Sequence, residues 1–256
     1  MNKIVFITGT TSGFGEACAL QFARNGYNLI LNGRREDRLQ SQKHFLEDKY
    51  GVKCFAAPFD VRDQKAVFET VNNLPEEWKH VDILVNNAGL ALGRDQFDKA
   101  SLDDWDTMID TNVKGLLYVS KAVIPFMIQR KKGHIINIGS TAAKEAYEGG
   151  NVYCASKSAV DAISKAMRID LLQHSIKVTA IHPGAAETEF SLVRFKGSED
   201  TAKKVYEGYK PLSAADVADI IYYTATLPPH VCINDLVVTC TQQANSFVFN
   251  KSGAEE

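Results

Sequence analysis

Seven short apolar runs alternate with longer amphipathic stretches along this chain, and that rhythm leaves few folds open. The runs fall at 4–7, 28–31, 53–57, 83–85, 134–138, 177–181 and 236–239. They are almost continuously apolar, as strands covered on both faces must be. Between them, 14–24, 38–49, 65–73, 105–130, 153–173 and 214–226 carry helical periodicity. Strand-helix alternation with right-handed crossovers predicts an α/β fold of Rossmann type, a doubly wound parallel sheet of about seven strands with helices on both faces. No repeat, low-complexity tract or linker divides the 256 residues, so one domain spanning 1–256 is expected. One segment breaks the rhythm. Residues 183–211 follow the sixth run with Gly184, Gly197, Gly208 and mixed charge, and they sit where such sheets bind ligands. A small substrate lobe or lid is the expectation there. The tail, 242–256, carries Phe247, Val248 and Phe249, and either packs on a neighbouring subunit or frays.

Composition narrows the function. A net charge of -2 gives no broad basic field for nucleic acid or anionic membrane. No apolar run approaches the ~20 residues of a membrane span. The N-terminus runs directly into a glycine loop and is too short for a signal sequence. The five cysteines (Cys18, Cys54, Cys154, Cys232, Cys240) are dispersed without metal-ligand spacing, which points to free thiols, a cytoplasmic location and no metal. Cys154 adjoins Tyr153 but reads as a small packed side chain.

The first loop carries the binding chemistry. Thr8-Gly9-Thr10-Thr11-Ser12-Gly13-Phe14-Gly15 joins the first strand to the first helix. Gly9 permits a tight turn, Gly13 a close approach of backbone to a pyrophosphate, and Gly15 close helix-strand packing. Thr11, Ser12 and Phe14 bring amides to the helix N-terminus, where phosphate is favoured. The end of the second strand lacks the carboxylate that holds an NAD ribose; Asn32-Gly33-Arg34-Arg35 stands there, with Arg38 beyond. Guanidinium forks match a 2′-phosphate, so NADP(H) is the expected cofactor, against the alternative of a solvated basic helix start. Asp60, followed by Val61, either accepts from an adenine amino group or caps the next helix.

Tyr153 and Lys157 lie four residues apart on a helical stretch and share a face. An adjacent ammonium is expected to lower the phenol pKa and fit Tyr153 for proton transfer. Ser140 lies shortly upstream, either as a hydrogen-bond donor to a substrate oxygen or as an ordinary strand-end turn.

Together these residues resemble the short-chain dehydrogenase/reductase family over nearly the whole chain. The loop at 8–15 is similar to its TGxxxGxG motif, Asn86-Asn87-Ala88-Gly89 to its NNAG, Tyr153 and Lys157 to its YxxxK, and Pro183-Gly184 with Thr188 to its PGxxxT. Ala186 stands where that family often has valine. The resemblance implies that Asn112 is a fourth catalytic residue, holding a water toward Lys157, although a helix-interior hydrogen bond also suits an asparagine there. It implies that Asn87, Ala88, Gly89, Pro183, Gly184 and Thr188 bind the cofactor, and that Lys157 holds the nicotinamide ribose. Gly150-Asn151-Val152-Tyr153, Thr188-Glu189-Phe190-Ser191, Val193-Arg194-Phe195-Lys196-Gly197 and His230-Val231-Cys232-Ile233-Asn234 further resemble the NADP-dependent 3-hydroxy acid dehydrogenases of that family. Those are homotetramers built through two long helices, which 105–130 and 153–173 would supply. Arg194 and Lys196 can hold a substrate carboxylate or simply be solvated. Glu189 can orient an amino group or a guanidinium, or cap a helix. The rival functions are a carbonyl reductase of uncharged ketones or sugars and a dinucleotide-sensing module, which would not need Ser140, Tyr153 and Lys157 together.

Overall fold

The computed structural model describes residues 2–252. Its main sheet runs β1 (Ile4–Ile7), β2 (Asn28–Gly33), β3 (Cys54–Pro58), β4 (Val81–Asn86), β5 (Gly133–Ile138), β6 (Ile176–Pro183) and β9 (Asp235–Val238) in the order β3-β2-β1-β4-β5-β6-β9, all parallel. Strand order reverses between β1 and β4, which opens a crevice at their carboxyl ends. A two-stranded patch pairs β7 (Ala186–Glu187) with β8 (Leu212–Ser213).

Helices α1 (Gly13–Arg24), α2 (Glu36–Tyr50) and α9 (Ala214–Thr226) cover one face, α3 (Gln64–Asn72), α5 (Leu116–Arg130) and α6 (Asn151–Asp170) the other. Period-two alternation assigns each strand side chain to a layer. Val5 and Ile7 pack with Phe22, Leu39 and Ile221, while Ile4 and Phe6 pack with Val71, Val123 and Met127. Both faces of β1, β2, β4, β5 and β6 are buried, which is why these strands read as apolar runs, while the edge strand β9 is partly exposed. Local chemistry sets the helix ends. A capping box starts α9: Ser213 Oγ accepts from the Asp216 amide, and the Asp216 carboxylate accepts from the Ser213 amide. Gly51 ends α2 in the left-handed region at φ 67.

The stretch expected as one helix over 105–130 is divided. Helix α4 (Leu102–Ile109) passes through a wide π-type turn (Asp110–Gly115) into α5. The cause is lateral: Asn112 is bonded to the backbone of Leu90, and Gly115 is pressed against Val61, where a Cβ would come within 2.7 Å of Cγ2. Residues 183–211 carry β7, α7 (Glu189–Arg194) and α8 (Glu199–Lys204), raised over the carboxyl end of the sheet. The described part of the tail folds back on its own chain through Gln243 and Phe249, while Phe247 and Val248 stay exposed. Gln243 Oε1 accepts from the Ala185 amide at 2.8 Å, and Phe249 lies 4.8 Å from the Tyr209 ring. Residues 253–256 lie outside the described part.

His134, inside β5, contacts Thr179 Oγ1 at 2.8 Å and is buried. Burial, helped by Lys177, pushes its pKa down to about 3. The folded chain therefore keeps this imidazole neutral while the unfolded chain protonates near its ordinary value of 6.5. That stability is full above the ordinary value and is lost as pH falls toward the folded one. Between about pH 7 and about pH 5, urea unfolding should show wild type losing about 2 kcal/mol more than His134→Asn; equal losses would show that His134 does not carry the acid sensitivity.

Candidate active site

The crevice holds a cavity of about 830 Å³ that extends from Arg34, Arg35 and Asp60, past the glycine loop and Asn87–Gly89, to Ser140, Tyr153, Lys157 and Arg194. Gly9 and Gly13 have φ 69 and 55, conformations that side chains resist. A Cβ on Gly15 would meet the Gly9 carbonyl oxygen at 2.1 Å. Ser12 stands at the N-cap of α1 with extended backbone but makes no cap bond, so the amides of the first turn keep their donors for an anion. The donor set, the cavity's volume and the two arginines at its far end fit a phosphorylated dinucleotide.

Asn87 fastens this loop from the next strand. Its Nδ2 donates to the carbonyls of Thr8 at 2.8 Å and Gly9 at 3.2 Å, and Thr8 Oγ1 accepts from the Asn87 and Ala88 amides. At the far end, Arg35 donates from Nε and Nη2 to Thr11, which anchors its fork beside the loop. Arg34 is exposed, 3.9 Å from Asp60. Asp60 lines the cavity but does not cap α3; Asp63 does, accepting from the Ala66 amide. Asp60 instead receives the Arg62 guanidinium and amide, which hold its carboxyl below the ordinary range against its partial burial.

Of the alternatives open to Glu189, the structure shows the guanidinium one: it heads α7 and its carboxylate lies 3.7 Å from Arg35 and 3.5 Å from Arg38, so it joins the arginine cluster at the cavity wall. Opposite charge draws the exposed side chain across. Lys196 is diverted: it pairs with Asp104 at 2.8 Å and does not line the cavity.

At the reactive end, α6 presents Tyr153, Lys157 and Asp161 on one face, each four residues from the next. Ser140, just beyond β5, lines the cavity with Tyr153 and acts on its phenol, and its Oγ accepts from the Ala142 amide at 3.1 Å. The acidified phenol expected from the lysine is not what the structure gives. Burial pushes the Tyr153 phenol up, with neighbouring Tyr147 adding to it, and Ser140 and Arg194 only partly oppose this. Lys157 donates to the Ile138 carbonyl at 2.9 Å, and burial pushes its ammonium pKa down to about 8. Desolvation of both groups outweighs the attraction the helical spacing promised.

Asn112 does not line the cavity. Its Oδ1 accepts from the Leu90 amide at 2.8 Å, and its Nδ2 donates to the Leu90 carbonyl and to Ser156 Oγ. The side chain is a strut for the loop after β4, with both its oxygen and its nitrogen engaged.

Arg194 is the reactive end's most telling group. Its Nε donates to Gly93 O at 3.2 Å and its Nη1 to the Tyr147 hydroxyl at 3.0 Å, while Nη2 is buried without a partner. The guanidinium carbon lies 5.6 Å from the Tyr153 ring centre. Tyr147, Phe190 (5.7 Å from the Tyr153 ring) and Tyr206, which is bonded to Ser191 and the Ala186 carbonyl, complete the wall. The sequence reading singled out none of these three as site residues, because Tyr147 and Tyr206 lie on irregular segments and Phe190 on the six-residue α7, too short for periodicity to mark an inward face. Thr188, Pro183, Gly184 and Val61 also line the cavity.

Residues 3–197 match the family model described as short chain dehydrogenase. The NADP-dependent 3-hydroxy acid dehydrogenase YdfG of Escherichia coli (strain K12) is 49% identical over 234 residues, 91% of this chain and 93% of that protein. The sulfoacetaldehyde reductase 2 of Chromohalobacter salexigens is 48% identical over 245 residues, 95% of this chain and 96% of its own length. Among solved structures, the closed form of serine dehydrogenase complexed with NADP+ superposes with a TM-score of 0.90 at 48% identity, covering 94% of this chain and 96% of that one.

Proposed function

We propose a function on this premise: the chain belongs to the short-chain dehydrogenase family. It is an NADP-dependent oxidoreductase acting at the 3-hydroxyl carbon of a small 3-hydroxy acid, or on the corresponding aldehyde acid. The observation that carries the substrate class is the unpartnered, buried Arg194 Nη2 beside Tyr153, since an anionic group on the substrate satisfies it. A sulfonate satisfies it too, which keeps the substrate of the sulfoacetaldehyde reductases in the same panel.

NADP(H), when bound, accepts or supplies the hydride. Gly9, Thr11, Ser12, Gly13, Phe14 and Gly15 hold its diphosphate; Arg34 and Arg35 hold the 2′-phosphate; Asp60 and Val61 border the adenine. Asn87, Ala88, Gly89, Pro183, Gly184 and Thr188 shape the nicotinamide end. The chain's own residues manage the substrate. Ser140 donates to the substrate oxygen. Tyr153 takes the hydroxyl proton in oxidation and returns it in reduction. Because burial keeps the phenol protonated, the site stands ready for reduction as proton donor. Lys157 fixes the ribose and brings positive charge beside the phenol; Asn112 positions the loop behind it. Residues 183–211 form the substrate lobe over this site. The homotetramer reading is supported by exposed Leu117 on α5 and Ile169 on α6, which are 40% and 75% accessible. A cytoplasmic location is supported by five free thiols; among the described residues no helix is long and apolar enough to cross a membrane.

The test is a panel of serine, threonine, 3-hydroxyisobutyrate, 3-hydroxypropionate, malonic semialdehyde and sulfoacetaldehyde, with each cofactor, followed by reduced-nicotinamide absorbance. Turnover confined to uncharged ketones would favour the rival carbonyl reductase. For the cofactor, replacing Arg34 and Arg35 together by Ala should weaken NADP+ binding by about two orders of magnitude while leaving NAD+ nearly unchanged, given the strength of guanidinium-phosphate pairing. Equal weakening of both would remove the arginines from the 2′-phosphate.

A further inference from the structure

Behind Ser140 lies a polar cluster, buried at His182 and Asp161 and open to solvent at Lys144 and Asp235, that the proton-transfer reading leaves unused. His182, near the end of β6, has no solvent exposure. Its ring lies so close to the Gly139 backbone that a Cβ there would lie 2.3 Å from Nδ1. Nδ1 stands 3.2 Å from the Ser140 carbonyl oxygen. A carbonyl only accepts, so this contact requires the proton on Nδ1. The same carbonyl also accepts from the Ala143 amide at 2.9 Å, which closes the short turn after Ser140.

The other side of the ring meets charge. Nε2 lies 3.5 Å from Asp161 Oδ1 and 3.4 Å from Asp235 Oδ2, in hydrogen-bond geometry with neither. These three residues offer ligand atoms within 4.8 Å of one another, but the cation of the cluster is an ammonium. Lys144 Nζ sits 3.1 Å from Asp161 Oδ1 and 2.8 Å from Asp235 Oδ2, and Lys165 adds a pair to Asp161 at 2.7 Å. Four pieces of the fold converge here: the turn after Ser140 (through Lys144), α6 (Asp161), β6 (His182) and β9 (Asp235). Asp161 is one helical turn beyond Lys157 and two beyond Tyr153, so the cluster joins the serine's turn to the helix that carries the phenol and the ammonium.

We propose that His182 is the positioning residue of Ser140, donating from Nδ1 to its carbonyl and setting the direction of its hydroxyl toward Tyr153, while Lys144 ties Asp161 and Asp235 to the serine's turn behind the ring. The proposal rests on the functional reading above, which gives Ser140 its task. It explains why glycine stands at 139: any side chain would occupy the ring's place. It also predicts which nitrogen matters. An asparagine at 182 places its amide near the Nδ1 position and keeps the donor; a glutamine reaches the Nε2 position and loses it.

The test compares His182→Asn, His182→Gln and His182→Phe in the full-length protein. His182→Gln and His182→Phe should lower kcat by about tenfold to hundredfold, with KM and NADPH affinity within about threefold of wild type, because a misdirected donor at a preorganised site acts on the chemical step. His182→Asn should recover most of kcat. Equal kcat in the Asn and Gln variants, unchanged kcat in all three, or losses that track lost NADPH affinity would each overturn the proposal. Nitrogen NMR of the wild-type imidazole gives a second readout that needs neither a variant nor turnover. A proton on Nδ1 is expected, and a bare Nδ1 refutes the proposal even if the enzyme stays silent on every substrate. Such silence with Nδ1 protonated would instead count against the functional reading.

Discussion

Arg194→Ala should lower kcat/KM for a 3-hydroxy acid by about two to three orders of magnitude while changing that for an uncharged alcohol by less than about tenfold, since truncating one partner of a buried charge pair costs about 2–5 kcal/mol. The asymmetry follows from the way the guanidinium is held. Gly93 and the Tyr147 hydroxyl take two of its nitrogens, and these bonds orient the third, buried Nη2 without meeting its needs. An uncharged substrate gains little from it; a carboxylate or sulfonate gains a charge-assisted bond in a desolvated site. Arg194→Lys keeps the charge but not the fork and should restore only part of the loss. The alcohol control is needed because Arg194 also ties the loop at Gly93. Equal losses on both substrates, measured by initial rates, would reduce Arg194 to a loop anchor.

Tyr153→Phe should lower kcat by about 10²–10⁴-fold and leave NADPH affinity within about threefold, as expected when a positioned proton donor alone is removed. The ring would keep its place against Phe190, and the variant loses only the hydroxyl. Fluorescence titration of NADPH alongside steady-state rates separates the two effects. Retained turnover would move the proton to another group, with Tyr147 the nearest alternative phenol on the same wall.

The layered sheet was readable because burial on both faces writes itself into strand composition. The expected run at 4–7 and helix at 214–226 coincide with β1 and α9, where a period and a cap agree. The glycine loop and the shared face of Tyr153 and Lys157 were readable for the same reason, that local backbone geometry ties residue type to spacing. What escaped the sequence depends on contacts between distant segments. The turn at 110–115 follows from Asn112 meeting Leu90. Glu189 turns to Arg35 and Arg38, more than 150 residues earlier in the chain, and Lys196 to Asp104. The tail's return onto Ala185 and Tyr209 has no local signal at all. The phenol's acidity was misjudged because spacing reports the neighbouring charge but not the desolvation of both partners, and here desolvation is the larger effect.

The central claim, that Tyr153 and Arg194 act on one anionic substrate over a bound NADP(H), is tested most directly by a single-turnover reduction. Enzyme saturated with NADPH is mixed with malonic semialdehyde or sulfoacetaldehyde, and reduced-nicotinamide absorbance is followed in wild type, Tyr153→Phe and Arg194→Ala. The account predicts rapid loss of absorbance in wild type, a slow phase in Tyr153→Phe that excess substrate does not accelerate, and in Arg194→Ala a slow phase that excess substrate does accelerate. Undiminished absorbance in wild type with every anionic carbonyl, despite bound NADPH, would contradict it.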